Sequence, residues 1–357
     1  MQGGPQSCFR LQGAPDFLIV RPYGPEKRPP VLPVNAPALS APSPAPPVRA
    51  LPDFADRWPA MVVKELRQGL RAQGFVGPFL VLHLLALGAV ALEFLLTRTA
   101  TPGSGWSAAV ADGSGLFWPV VYLMVALVMP LRLMDSLHAE SDGRNAELLL
   151  LGGLTRWQIV RGKWTVQALL AGLALLSLLP YMLVRYFFGG VELVQNFFTL
   201  LSVFASSLGI AGCVIGASGY AGLGMRFFII GTGVLILGLT VSITEGMINH
   251  ARGAARTFDY LLFIYGYAYA MLLHVLYATI GMQLGRAHLK LFLMPYEISP
   301  TRGMVTMLLT APFMLVAGGI ATCGYGAIIV LLLLVYSVVV FDRTPASADW
   351  ALRRPGP

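Results

Sequence analysis

The chain is poor in charge. Only 12% of its 357 residues are Asp, Glu, Lys or Arg, against about 25% in an ordinary soluble domain. By contrast 56% are hydrophobic, and the mean hydropathy is +0.69. Such a balance excludes a conventional soluble globule and points to a membrane protein. Cysteine is scarce as well. Cys8, Cys213 and Cys323 lie far apart with no CxxC spacing, so neither a disulfide framework nor a zinc site is implied. The later two sit in apolar segments and read as small packing residues. Catalytic signatures are missing: there is no HExxH, no GxSxG and no carboxylate pair on one helix face of an apolar segment. Intramembrane hydrolysis therefore has no support. The Gly162-Lys163 pair is followed by Trp164, and Trp157 stands where a phosphate loop needs its first glycine. No nucleotide site results. The net charge of +8 comes from basic residues that alternate with apolar spans, so it does not indicate nucleic acid.

What is present begins with a proline-rich tail, residues 1–57. Its densest part, PPVLPVNAPALSAPSPAPPVRALP, removes backbone donors and disfavours helix, so an extended or disordered segment is expected. A signal peptide is not expected, since the longest early apolar run is Phe17 to Val20. Order is expected from Trp58-Pro59, because proline suits a first helical turn. Val63, Leu66 and Leu70 then recur at helical spacing, with Lys64, Glu65, Arg67, Gln68 and Arg71 on the other side. That pattern predicts an amphipathic helix lying on the membrane face over residues 59–74. Gly74 to Pro78 should then turn the chain into the bilayer.

The fold class expected from the remainder is all-α, a polytopic bundle of about eight transmembrane helices in a domain spanning 58–341. Segments of about 20 apolar residues occur near Val76–Thr97, Leu116–Met134, Trp164–Phe188, Phe197–Ser218, Phe227–Met247, Tyr260–Leu284, Met304–Ile320 and Gly324–Phe341. The last two are separated by argument: as one helix, Met304 to Phe341 would run about 57 Å, so it should fold back near Gly318-Gly319 or Gly324. This hairpin, 304–341, precedes a short tail, 342–357. With eight spans and the N-terminus inside, fifteen Lys and Arg fall on the inner side and four on the outer. The positive-inside bias places both termini in the cytosol.

Between the second and third apolar segments lies a charged connector, Met134 to Lys163. Asn145 to Leu151 carries Glu147 and then four leucines, a run with no polar face of its own that must bury against something. Gly152-Gly153 breaks it, since each glycine costs about 1 kcal/mol inside a helix. Thr155-Arg156-Trp157-Gln158 has the spacing of a capping box, so a new helix should start there and feed the third span, with Trp157 and Trp164 near the interface. The residues alone allow two accounts, an interfacial connector or a lever that passes a push from the cytosol into the bilayer.

These residues carry a resemblance. Glu147-Leu148-Leu149-Leu150-Leu151, Leu154 to Val160 and Gly162-Lys163 resemble the cytosolic-loop signature of type-2 ABC transporter permeases, which reads roughly GTLELLLLTPLS followed by IV-x-GK. Pro59 with Val63 to Arg67 is similar to that family's N-terminal elbow helix. The likeness covers about Trp58 to Glu192. Arg144-Asn145-Ala146 and Gly152-Gly153 depart from the pattern where the family often has Gly-Thr-Leu and Thr-Pro. The resemblance implies a permease subunit of an ATP-driven exporter in a bacterial cytoplasmic membrane. It would dimerise with itself or a related permease and lodge a coupling helix in a separate cytosolic ATPase. It implies coupling positions at Glu147, Leu148, Leu151, Arg156 and Lys163, and elbow positions at Lys64, Glu65 and Arg67. No cofactor would bind this chain, ATP being used by the partner. The alternative is a membrane-integral enzyme or scaffold that docks a soluble partner on the same loop; a secondary transporter is a third choice, weakened by the lack of matching broken helices.

Polar residues within apolar segments are the remaining candidates. His83 and His274 lie inside segments one and six, and Glu93, Arg185 and Glu245 towards outer ends. The favoured account is that the histidines hydrogen-bond between helices and the charges reach the interface; the sharper one is a polar substrate path lined by His83 and His274. In segment four, Ala205, Gly209, Gly212 and Gly216 allow close helix approach, with packing inside the bundle favoured over a dimer seam.

Overall fold

Proline and the helix-breaking positions decide where the elements start and stop. The computed structural model describes residues 58–99, 115–142, 154–188, 193–252, 257–289, 301–321 and 326–341, and among these there is helix and turn but no strand. The Pro59 carbonyl accepts from Val62 N and Val63 N and opens α1, Ala60–Arg71. The chain turns at Ala72, whose backbone is extended, and α2, Gln73–Thr99, follows at once. The turn expected at Gly74 to Pro78 therefore comes earlier. Those residues sit in the first turns of α2, where Pro78 leaves only the Gly74 carbonyl without its intrahelical donor.

The second apolar segment is one rod, α3, made of Phe117–Val121, a π-helical stretch Tyr122–Val128 and Met129–Leu131. A turn leads to the short α4, Ser136–Asp142. The third begins well before Trp164, as α5, Arg156–Ser177. Leu178 interrupts it and α6, Leu179–Phe188, continues; Pro180 has no N–H to give the Leu176 carbonyl, and its ring crowds that carbonyl, which accounts for the break. The rest are α7, Leu193–Ala217, α8, Leu223–Arg252, α9, Thr257–His288, α10, Thr301–Ala321, and α11, Ala327–Phe341.

Among the described residues, six stretches are long and apolar enough to cross a bilayer: Gln73–Thr99, Phe117–Glu140, Arg156–Phe187, Asn196–Ser218, Leu223–Ser242 and Phe263–His288. The chain is an integral membrane protein of helical class. The seventh and eighth segments differ from expectation, with apolar stretches of only Arg302–Gly318 and Ala327–Val340. The fifteen residues of α11 rise about 22 Å, short of the ~30 Å hydrocarbon core. The expected fold-back does fall between them. α10 ends at Ala321, α11 begins at Ala327, and a Cβ on Gly318 would lie 2.7 Å from Val330 Cγ2.

The interior has two apolar clusters. One joins α7, α8 and α9 with α10 and α11 through Ile215, Leu237, Tyr277, Leu308 and Leu331; the other joins α1, α2, α3, α5 and α6 through Val62, Leu82, Phe117, Leu170 and Met182. α7 and α9 lie nearly backbone to backbone. A Cβ on Gly212 would come 2.6 Å from Ala278 Cα, and one on Gly216 would come 2.6 Å from the Gly281 carbonyl oxygen. The small residues of segment four thus pack within the chain. The outward faces of α2, α8 and α11 carry exposed Leu84, Leu235 and Leu333, as a lipid-facing surface requires.

Candidate functional site

Ion pairs stand at the two ends of the bundle, centred on Lys163 at one and on Glu93 at the other. At the end where α3 finishes and α5 begins, Lys163 is 4% exposed and reaches two carboxylates: Nζ lies 2.9 Å from Glu140 Oε1 on α4 and 3.4 Å from Glu65 Oε1 on α1. Thr155 presents this lysine by starting α5 with a complete capping box. Its hydroxyl accepts from Gln158 N at 3.2 Å, and Gln158 Oε1 accepts from Thr155 N at 2.8 Å. Lys163 is then in the third turn of α5, on the side against which α1 packs.

α1 runs alongside α5 in the same direction. Met61 lies over Gly162, where a Cβ would be 3.0 Å from Met61 Cγ, and Gly69 lies beside Leu170 at 3.2 Å by the same measure. The buried face of α1 therefore holds Met61, Val62 and Gly69, with Leu66 half-buried, while Leu70 is exposed. This corrects the sequence pattern in two respects: Leu70, expected on the apolar side, is exposed, and Glu65 changes sides. Glu65 leaves the polar side and turns inward, because Lys163 supplies its counter-charge; Lys64 and Arg67 stay exposed as expected. Next to this cluster Arg132 Nε donates to Gln167 Oε1 at 2.9 Å.

A second cation holds the near end of α4. Arg226, at the start of α8, pairs with Asp135 and donates to the Met134 carbonyl at 3.5 Å and the Tyr220 carbonyl at 2.5 Å. Leu137 N donates to Ser218 Oγ at 3.4 Å. Tyr220 packs its ring against His288, and burial pushes its phenol up. The connector after α3 is thus gripped by Arg226 at one end and Lys163 at the other, from two different membrane helices.

Of the coupling positions suggested by the resemblance, the structure places Arg156 and Lys163 together in the first turns of α5, both buried. Glu147, Leu148 and Leu151, with the helix expected over Asn145 to Leu151 and the break at Gly152-Gly153, lie outside the described residues. Trp157 takes Arg161 over its ring at 5.4 Å, and Trp164 Nε1 donates to the Leu208 carbonyl at 3.0 Å.

The two histidines are not brought together. His83 on α2 is half-buried, uses Nδ1 on the Phe79 carbonyl at 2.9 Å and packs between Phe79 and Tyr181. His274 on α9 is buried. Its Nδ1 faces the Ala270 carbonyl at 2.7 Å, and its Nε2 lies 2.9 Å from Ser206 Oγ on α7. A proton on Nδ1 fits the Ala270 carbonyl, while the single Ser206 proton is shared between two acceptors, Nε2 and the Ser202 carbonyl at 2.8 Å. The helix-to-helix hydrogen bond expected of the histidines is made by His274; the bond of His83 stays within α2, and it meets α6 through the Tyr181 ring.

Glu93 and Arg185, expected to reach the interface separately, instead form a buried pair at the opposite end. Arg185 Nε lies 2.9 Å from Glu93 Oε2, with side chains 2% and 4% exposed. Glu93 Oε1 accepts from Phe117 N at 2.9 Å, and the guanidinium lies 4.8 Å above the Phe117 ring. Gly115 packs directly on the Glu93 carboxylate, so a side chain there would have to displace it. One carboxylate thus ties α2, α3 and α6, as one ammonium ties α1, α4 and α5 at the other end. Glu140, Asp135 and Gln167 went unnoticed in the sequence; the available signal was two carboxylates close behind an apolar span in a chain with few charges. Compared with protein-family models, with curated proteins and with solved structures, the chain matches none.

Proposed function

We propose that the chain is the permease subunit of an ATP-driven exporter of the type-2 ABC kind. In this reading the Lys163 end faces the cytosol of a bacterial inner membrane, with both termini on that side. The chain dimerises with itself or a related permease, and residues 134–163 receive the stroke of a separate cytosolic ATPase. The short helices α10 and α11 are then a hairpin added to a six-span core, and α1 is the elbow. The observation that carries this reading is the double contact of Lys163. A residue of the family's loop signature joins the elbow, through Glu65, to the segment leading into the loop, through Glu140. A force on the loop reaches α1, α4 and α5 together by that route, which is what a coupling element needs. The capping box at Thr155 makes the start of α5 firm enough to transmit it.

The test is co-purification of the full chain from its native membrane in mild detergent, followed by cysteine crosslinking from positions 147 and 151 to any associated ATPase. An ATPase crosslinked at those positions supports the reading. If none associates, and membrane ATP hydrolysis is unchanged when the chain is deleted, the reading fails and a scaffold docking another protein on the loop takes its place.

A further inference from the structure

The Glu93–Arg185 pair is satisfied on one side only. Both carboxylate oxygens of Glu93 are engaged, Oε1 by Phe117 N and Oε2 by Arg185 Nε. Arg185 spends only Nε on the pair, and its Nη1 and Nη2 are buried with no hydrogen-bond partner. The neighbouring Trp118 Nε1 donates to Asn196 Oδ1 at 3.2 Å, which leaves Asn196 Nδ2 buried and unpartnered too. The imbalance therefore has one sign: the unmet groups of Glu93, Arg185, Trp118 and Asn196 are all donors. A buried donor without a partner bears its full desolvation cost, and a guanidinium edge is shaped to meet two oxygens of a phosphate or carboxylate at once.

We propose that the free Nη edge of Arg185 is an anion-recognition site, taking a phosphate oxyanion at the end of the bundle opposite Lys163. Glu93 and the Phe117 ring hold the guanidinium in place, so the edge is preorganised and the oxyanion need not order it. The position suits a lipid. Glu93 stands six residues before the last residue of α2, about 9 Å along the helix, and Arg185 three before the last of α6, which is headgroup depth. Tyr186 and Phe187 beside it are exposed on the bundle surface, where a lipid would meet them. Because the Nη groups are enclosed, uptake is coupled to a parting of the ends of α2, α3 and α6.

The proposal stands apart from the transporter reading, because its test needs no ATPase. The full chain is reconstituted in phosphatidylcholine nanodiscs, then titrated with phosphatidylglycerol and, separately, with inorganic phosphate, with occupancy read by native mass spectrometry and thermal shift. Saturable phosphatidylglycerol binding alone assigns a lipid headgroup; binding of both assigns a free oxyanion. In either case Arg185→Gln should weaken affinity about tenfold or more, as loss of a charge-assisted contact does. Glu93→Gln should keep it or strengthen it. Since R185Q strands a buried carboxylate and can fail to fold, the Glu93→Gln/Arg185→Gln double variant, which removes both charges together, serves as the second probe. It should bind as weakly as R185Q. No saturable binding of either ligand, or a folded double variant that binds like the parent, overturns the proposal.

Discussion

A Cβ on Gly212 would come 2.6 Å from the Ala278 backbone, whereas one on Gly88 would meet nothing within 4 Å. Two glycines in membrane helices thus have opposite meanings. Gly212→Val should lower stability by at least about 2 kcal/mol, because backbone on the far side cannot yield. Gly88→Ala should be neutral or raise stability by up to about 1 kcal/mol through helix propensity. Thermal unfolding in detergent separates them, and equal effects would refute the close α7–α9 seam. Lys163 is the other decisive residue. Lys163→Met leaves Glu65 and Glu140 without their cation, and an expected loss of about 3 kcal/mol follows from stranding a paired charge. Adding Glu65→Gln and Glu140→Gln should recover most of it; a triple variant no better than K163M would show that the ion pairs are not what Lys163 contributes. His274 was visible in the sequence as a polar residue in an apolar run. Its partner Ser206 was not identifiable there, because the two lie on different helices, 68 positions apart.

At the scale of the element, the start of α5 is the clearest local structure. Thr155→Ala removes the capping-box acceptor and should cost about 1 kcal/mol. Amide exchange should quicken at Gln158 to Val160 while the centre of α9 stays unchanged. This cap was legible in advance because it is made within four residues by neighbours in the chain. The orientation of α1 was not. Val63, Leu66 and Leu70 suggested one apolar face, yet the helix buries Met61, Val62 and Gly69 and turns Glu65 inward. Periodicity alone cannot foresee a carboxylate rotated into the interior by a lysine 98 positions later. The break between α5 and α6 falls inside what the sequence reads as one segment, Trp164–Phe188, although Pro180 stands beside it, and the π-helical turn in α3 has no signal in its apolar sequence.

For the whole molecule, the open issue of topology is the pair α10 and α11, and the cysteines make it measurable. Cys213 is buried, Cys8 belongs to the N-terminal tail, and Cys323 lies in the connection between α10 and α11. With the termini on the cytosolic side, as proposed, a hairpin that crosses the bilayer should let a membrane-impermeant maleimide applied to intact cells label Cys323 while Cys8 stays protected. Labelling of Cys323 only after permeabilisation would show that the hairpin enters and leaves on the cytosolic side. Composition and apolar run length determined by themselves that this is a helical membrane protein, because a bilayer admits few ways to satisfy a backbone and a helix satisfies its own. Local chemistry determined where helices cap and break. Only the tertiary structure decided which charges are partners. Lys163 with Glu65 and Glu140, and Arg185 with Glu93, join separate helices, while Arg226 ties α8 to the turn before α4 through Asp135; in each case the cation is buried, where an unpaired charge is too costly to keep.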